Sequence, residues 1–251
     1  MSVLRVSQVF GPTIQGEGSA AGRHCLFLRL YDCNLTCTWC DTAYTWADTD
    51  TRAAKTESGI QYDRWDPKYG LKHMHHDEVY DKLKDLWNFE EKPTIIVISG
   101  GEPMMQQDNL IPLVKMLVDT YSEVHIETAG TIAPTPEFAS YVTQFNVSPK
   151  LEHSGNPLGK RIKPAVLERF VRTRKAWFKF VVRDIGDLSE IDDIVEQNKM
   201  PHNRVMIMPE GTTPEANMKI MTPEMAEQVV QRGWGISFRT HVLIWGDDKD
   251  K

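Results

Sequence analysis

Thr94-Ile95-Ile96-Val97-Ile98-Ser99-Gly100-Gly101-Glu102-Pro103 is the stretch on which the fold class turns. From Thr94 to Ser99 the residues are apolar or β-branched with no polar alternation, the pattern of a strand covered on both faces in a parallel sheet. The strand stops on two glycines and a glutamate. That ending leaves bare amides and a carboxylate at its C-terminal end, where a ligand carrying an ammonium and a carboxylate could bind.

Working outward, helical and strand patterns alternate. Upstream, Val79, Tyr80, Leu83, Leu86 and Trp87 recur at helical spacing between His76 and Phe89. Further back, strands are predicted at Leu4 to Phe10 and at Cys25 to Leu30. In the second, period-2 alternation puts Cys25, Phe27 and Arg29 on one face and three leucines on the other. Downstream come a helix around Leu110 to Thr120, a strand Val124 to Thr128, a short helix near Glu137 to Val142 and a strand Phe145 to Ser148. A helix from Ala165 to Arg172 and a strand Trp177 to Val182 follow. Asp187 reads as an N-cap with Glu190 three residues on, and the next strand is Val205 to Met208. The last helix opens at Thr222 with Pro223 in its first position, and a final strand is predicted from about Ile236 to His241. The pattern predicts an α/β fold, a partial, TIM-like (β/α) barrel of six to seven mostly parallel strands.

At 251 residues one such domain accounts for residues 1–251 without a second core. A polar segment at about 43–75 reads as an insertion, and the charged tail 247–251 as disordered. His73, His75 and His76, in that polar segment, read as solvated surface. The net charge of −6 gives no basic field, which disfavours a nucleic-acid partner and favours a small substrate. No apolar run approaches the roughly 20 residues that span a bilayer, and the N-terminus lacks a basic-then-apolar leader, so no membrane partner and a cytoplasmic location are expected.

Three of the four cysteines, Cys33, Cys37 and Cys40, fall on the loop that leaves the Cys25 to Leu30 strand. Thiolates at this spacing ask for zinc or an iron-sulfur cluster, and a structural zinc site closes with a fourth Cys or His. Cys25 lies up to roughly 26 Å away along an extended strand. Two readings stand: a zinc knuckle completed by a histidine such as His24, or a [4Fe-4S] cluster with one iron left open to an exogenous ligand. In a barrel of this kind ligands collect at the C-terminal ends of strands, and Cys33, Gly101, Thr128, Ser148, Met208 and His241 all fall there in this reading. Arg29 interrupts an apolar strand just before the cysteine loop and is either paired within the fold or aimed at an anionic ligand.

The spacing Cys-x3-Cys-x2-Cys resembles the signature of radical S-adenosylmethionine (SAM) enzymes, and Gly100-Gly101-Glu102 resembles their SAM-binding turn. Gln15-Gly16-Glu17-Gly18, Arg29, Cys33 to Thr42, Ser99 to Pro103, Glu127 to Thr131, Ser148-Pro149-Lys150 and Thr240-His241 narrow the resemblance to the 7-carboxy-7-deazaguanine synthase family. The resemblance implies a radical SAM core and ring contraction of 6-carboxy-5,6,7,8-tetrahydropterin with loss of ammonia, in queuosine and deazapurine biosynthesis. It implies a [4Fe-4S] cluster on Cys33, Cys37 and Cys40, SAM, and Mg2+ contacted by Thr42. SAM contacts carry over to Trp39, Cys40, Asp41, Gly100, Gly101, Glu102, Ser148, Pro149, Lys150, Met208, Pro209 and Glu210. Substrate contacts carry over to Ile14, Gln15, Gly16, Glu17, Arg29, Ser99 and His241. An electron donor such as flavodoxin and a homodimer are the implied partners. Another radical SAM reaction, such as activation of a glycyl-radical enzyme, would share the cysteines and Glu102 but would not need Gln15 to Gly18 or Thr42. Here Thr240-His241 is followed by Val242-Leu243-Ile244-Trp245, where family members commonly end sooner.

Overall fold

The computed structural model describes residues 3–56, 69–120 and 122–246. The charged tail 247–251 and residues 57–68 of the expected insertion lie outside the described residues. Among the described residues the strands are β1 Val3–Ile14, β2 His24–Leu30, β3 Lys72–His75, β4 Ile95–Gly100, β5 Glu123–Thr128, β6 Gln144–Val147, β7 Ala176–Val182, β8 Val205–Pro209 and β9 Gly235–Ile236. They form one sheet in the order β3-β1-β2-β4-β5-β6-β7-β8-β9. Pairing is parallel from β2 through β9, while β1 runs antiparallel to both β2 and β3. The parallel part therefore has the seven strands expected as an upper bound.

Among the described residues the α-helices longer than one turn are α1 His76–Leu86, α2 Gln107–Asp119, α3 Pro136–Tyr141, α4 Pro164–Thr173, α5 Asp187–Gln197, α6 Pro214–Ile220, α7 Pro223–Gln231 and α8 Thr240–Trp245. Alternation along the strands sorts the two faces of the sheet. Leu26, Leu28 and Leu30 of β2 and Ile96 and Ile98 of β4 pack against Leu83 of α1 and Leu110, Leu113 and Leu117 of α2. Burial of each such side chain contributes about 1.5–3 kcal/mol. The opposite face carries Cys25, Ile95 and Val97 at its lower end and polar side chains above them. The cap expected at Thr222 is present: its hydroxyl accepts from the Met225 amide at the start of α7, with Pro223 first in the helix.

Four local expectations change. The first strand does not stop at Phe10 but continues through Gly11-Pro12 to Ile14, because register shifts between Phe10 and Thr13 absorb the interruption. Part of the expected insertion, Lys72–His75, is a short edge strand on β1 with only Met74 buried. Asp187 is not the cap of α5 but its first residue, and its carboxylate accepts from the Arg183 amide at 2.7 Å. Finally, β9 ends at Ile236, and His241 lies in α8 rather than on a strand. The cause is a set of contacts to the turn after β1: the Thr240 amide donates to the Gly16 carbonyl at 2.8 Å, and Ser237 Oγ accepts from the Gly18 amide at 2.8 Å. Among the described residues these bonds tie the turn after β1 to the chain after β9, two strands that do not pair with each other.

Candidate active site

The C-terminal ends of the parallel strands surround one large cavity. Into it project Gln15, Gly16 and Glu17 from the turn after β1, Arg29 from β2, and Cys33, Cys37, Trp39, Cys40, Asp41 and Thr42 from the loop after β2. Ser99, Gly100 and Gly101 line it from β4, Ser148 and Lys150 from the loop after β6, Met208, Pro209 and Glu210 from β8, and Ile14 and His241 close the rim. Sequence reasoning thus brought almost all of its site residues to one place.

Glu102 and Pro149 are the two that do not line it. The Glu102 carboxylate is fully buried, accepting from Thr128 Oγ1 at 2.7 Å, the Met104 amide at 3.1 Å and the Ala129 amide at 2.8 Å. Burial pushes its carboxyl up, and those donors oppose the shift. It acts as a brace between the β4 and β5 loops. Nor are the amides beside it bare, since that of Gly101 donates to the Leu30 carbonyl at 3.2 Å and that of Glu102 to the Asp32 carbonyl at 2.8 Å. The glycines permit this approach. A Cβ on Gly100, whose φ is +131°, would sit 2.2 Å from the Leu30 carbonyl oxygen, and one on Gly101 1.9 Å from that of Asp32. The Gly-Gly pair thereby fixes the chain that leads into Cys33.

The three thiols share a buried wall with Leu35 and Ala129. Burial pushes Cys33 up to about 12 and Cys37 up to about 11, and raises Cys40 as well. Each sulfur nevertheless receives an N–H: from the Leu35 amide at 3.4 Å on Cys33, from Asn156 Nδ2 at 3.3 Å on Cys37, and from the Trp46 indole at 3.3 Å on Cys40. Cys25 packs away from them among Ala20, Ile95 and Val97. His24 is at the opposite end of β2, bonded through Nδ1 to Thr94 Oγ1 and tilted against Trp87 with centroids 4.3 Å apart. The knuckle completed by His24 is therefore not built. Among the described residues no three His, Cys, Asp or Glu side chains converge to hold a single ion. Three thiols with ready hydrogen-bond donors beside an open cavity fit a cluster that needs three protein ligands.

Trp39 is pinned beside the thiols: its indole donates to His153 Nδ1 at 2.9 Å, and Lys150 lies 5.3 Å over its ring. Arg29 has a different environment. Its guanidinium sits over Phe10 at 5.3 Å and Tyr44 at 5.9 Å, no carboxylate among the described residues pairs with it, and its Nε is buried without a partner. Ser99, its register partner on β4, has a buried Oγ that is also unpartnered. Two adjacent orphaned polar atoms at a cavity wall mark a place where an anionic or carbonyl group is missing.

The same cavity holds a part-buried charge network, centred on the buried Lys179, that sequence reasoning did not anticipate as a unit. Lys179 of β7 ion-pairs with Glu17 and, at 3.3 Å, with Glu127 of β5. Glu127 also accepts from Gln15 at 3.0 Å and Asn146 at 2.8 Å. Arg239 links Glu17 at 2.9 Å to Asp41 at 2.5 Å. Burial alone would raise the Glu17 carboxyl, but Lys179, Arg239 and His241 outweigh it and hold it well below the carboxylate range. Lys179 is raised in turn, since the pull of Glu127 and Glu17 exceeds its burial penalty. His241 is lowered by burial, against the charge of Glu17. It packs so closely that a Cβ on Gly16 would be 1.7 Å from its Nδ1. Each Glu17 oxygen already faces a cation, so a ligand amidine would share this carboxylate with Lys179 and Arg239. A lysine inside the apolar run Trp177-Phe178-Lys179-Phe180-Val181 is the same signal that singled out Arg29, and it could have found Lys179.

Residues 14–135 match the family model of a 4Fe-4S single cluster domain. A 7-carboxy-7-deazaguanine synthase of Hyperthermus butylicus is 32% identical over 97% of this chain and 93% of its own length. The chain belongs to the 7-carboxy-7-deazaguanine synthase family. A family member from Pyrobaculum aerophilum is 29% identical over 99% of this chain and 97% of its own length. The crystal structure of QueE from Escherichia coli has 25% identity and a TM-score of 0.65 over 95% of both chains.

Proposed function

We propose that this chain contracts the ring of 6-carboxy-5,6,7,8-tetrahydropterin to 7-carboxy-7-deazaguanine with release of ammonia, as a radical SAM enzyme of queuosine and deazapurine biosynthesis. The single observation that carries the substrate assignment is the unpaired Arg29 guanidinium beside the unpartnered Ser99 hydroxyl, in the cavity that the three thiols also line. A pterin carboxylate satisfies both. Cys33, Cys37 and Cys40 would hold a [4Fe-4S] cluster, which, after taking one electron from an external reductant, would cleave bound SAM to methionine and a 5′-deoxyadenosyl radical able to remove a hydrogen atom from substrate.

The remaining chemistry of the site is positioning. Arg29 and Ser99 fix the substrate carboxylate, and so which ring hydrogen faces the cluster side of the cavity. Gln15, Glu17 and, from the network, Glu127 present acceptors and an amide to the guanidine-like edge of the pterin. Trp39, Asp41, Gly100, Gly101, Ser148, Lys150, Met208, Pro209 and Glu210 form the wall assigned to SAM, with Lys150 as the cation for its carboxylate. Glu102 and Pro149 support that wall from behind. Thr42 offers one hydroxyl to Mg2+, so the ion would complete its shell with the substrate carboxylate and water, as this cation commonly does. A single catalytic domain in which 43–75 is an insertion, a cytoplasmic location, a homodimer and a reductant such as flavodoxin belong to the same proposal. No helix among the described residues is long and apolar enough to cross a membrane.

Arg29→Leu tests the assignment. Loss of a charge-assisted hydrogen bond of about 1.5–3 kcal/mol corresponds to a roughly ten- to hundredfold rise in KM for the carboxylated pterin. SAM binding and iron content are expected to stay unchanged. An unaltered KM with the same kcat would remove Arg29 from the substrate site.

A further inference from the structure

We infer that Trp46 and Asn156 set the reduction potential of the iron-sulfur cluster, by donating N–H hydrogen bonds to two of its three cysteine ligands; the inference rests on the cluster assigned above. Neither residue follows from the cysteine motif. Trp46 comes from the segment after the cysteine loop and is 1% exposed, while Asn156 comes from the loop after β6 and is 6% exposed. The two reach different sulfurs, Cys40 and Cys37, each at 3.3 Å.

Both donors are aimed by their surroundings. Asn156 Oδ1 accepts from the Thr36 amide at 3.0 Å, which fixes the amide so that its NH2 end faces Cys37. Trp46 packs with Ala43 and Ala47 against Cys33 and Cys40. The Arg52 guanidinium lies 5.6 Å over the indole ring and is held by Asp48 at 3.0 Å. A cation on the π face draws density from the ring and makes its N–H a stronger donor.

A buried indole needs an acceptor, and a neutral thiol is a poor one. The Asn156 NH2 also reaches the Ser154 carbonyl and hydroxyl, each at 3.3 Å, whereas a neutral thiol leaves the Trp46 indole weakly satisfied. Against thiolate ligands the same contacts become charge-assisted and about twice as strong. Electron uptake by a cluster increases negative charge on its sulfurs, so donors to them favour the reduced state and raise the potential. Trp46 thereby gives the start of the 43–75 segment a chemical role, since it carries a donor to the ligand nearest that segment.

The test is an anaerobic redox titration of the reconstituted, SAM-free protein followed by electron paramagnetic resonance. Trp46→Phe keeps the ring and removes the donor. It is expected to retain its iron and to show an about tenfold lower ratio of reduced to oxidised cluster at fixed solution potential, or about 59 mV for a one-electron couple. Asn156→Asp keeps the acceptor for Thr36, replaces the donor with a negative oxygen, and is expected to shift the ratio further in the same direction. If Trp46→Phe loses iron, Asn156→Asp decides alone. Unchanged midpoints in iron-replete variants would overturn the inference. Shifted midpoints in a protein that fails to turn over the pterin would uphold it and overturn the substrate reading instead.

Discussion

Lys179→Met is expected to destabilise the protein by about 3–5 kcal/mol at neutral pH and to abolish pterin turnover. Lys179 is 4% exposed and is the cation shared by Glu17 and Glu127. Removing it leaves two half-buried carboxylates, with Arg239 still paired to Glu17 and, among the described residues, no cation paired to Glu127. One carboxylate then takes up a proton, and the acceptor edge offered to the pterin changes character. The pH dependence follows from the same geometry. The Glu17 carboxyl is depressed below its ordinary 4.5 in the wild type, so its contribution is complete above that value and is lost as the pH falls through and below it. The gap between wild type and variant is therefore expected to be widest near neutrality and to narrow in acid. Thermal unfolding of both proteins between pH 7 and pH 2 measures it. A variant as stable as wild type at pH 7 would show that the network carries no such energy.

Gly100→Ala is expected to strip the cluster. The residue has φ +131°, and an added Cβ would lie 2.2 Å from the Leu30 carbonyl oxygen and 2.4 Å from its nitrogen, both backbone atoms of the paired strand. Strain at such a conformation costs about 1–3 kcal/mol before the collision is counted. No flexible side chain is available to yield, so β2 and β4 must separate at the point where Asp32 leads into Cys33. We expect iron per chain after reconstitution to fall to about a tenth of wild type or less, with a lower melting temperature. Full iron loading at the wild-type melting temperature would mean that the Gly-Gly turn does not hold the cysteine loop.

The parallel core was legible because its strands are buried on both faces and carry continuous apolar runs, as Thr94 to Ser99 does. The edges were not. Lys72–His75 has one buried side chain, Met74, and owes its strand conformation to pairing with β1, a contact distant in sequence. The chain after Ile236 was read as a strand from its alternation, but its direction is set by bonds to Gly16 and Gly18, more than two hundred residues earlier. In the site, motif residues were found because spacing exposes them. For Glu102 the sequence shows the carboxylate but not its direction, which the structure turns toward Thr128, Met104 and Ala129. Glu127, Asn146 and Arg239 each look ordinary in their own stretch, and only the sheet brings them around Lys179.

Product identification with the wild-type protein tests the central claim most directly. Anaerobically purified protein carrying about four irons per chain is incubated with SAM, a reductant, Mg2+ and 6-carboxy-5,6,7,8-tetrahydropterin. The account predicts a product with the absorbance and mass of 7-carboxy-7-deazaguanine, formed together with an equal amount of ammonia. Unconverted pterin from iron-replete protein, or a chain that carries one tightly bound zinc and no iron, would contradict it.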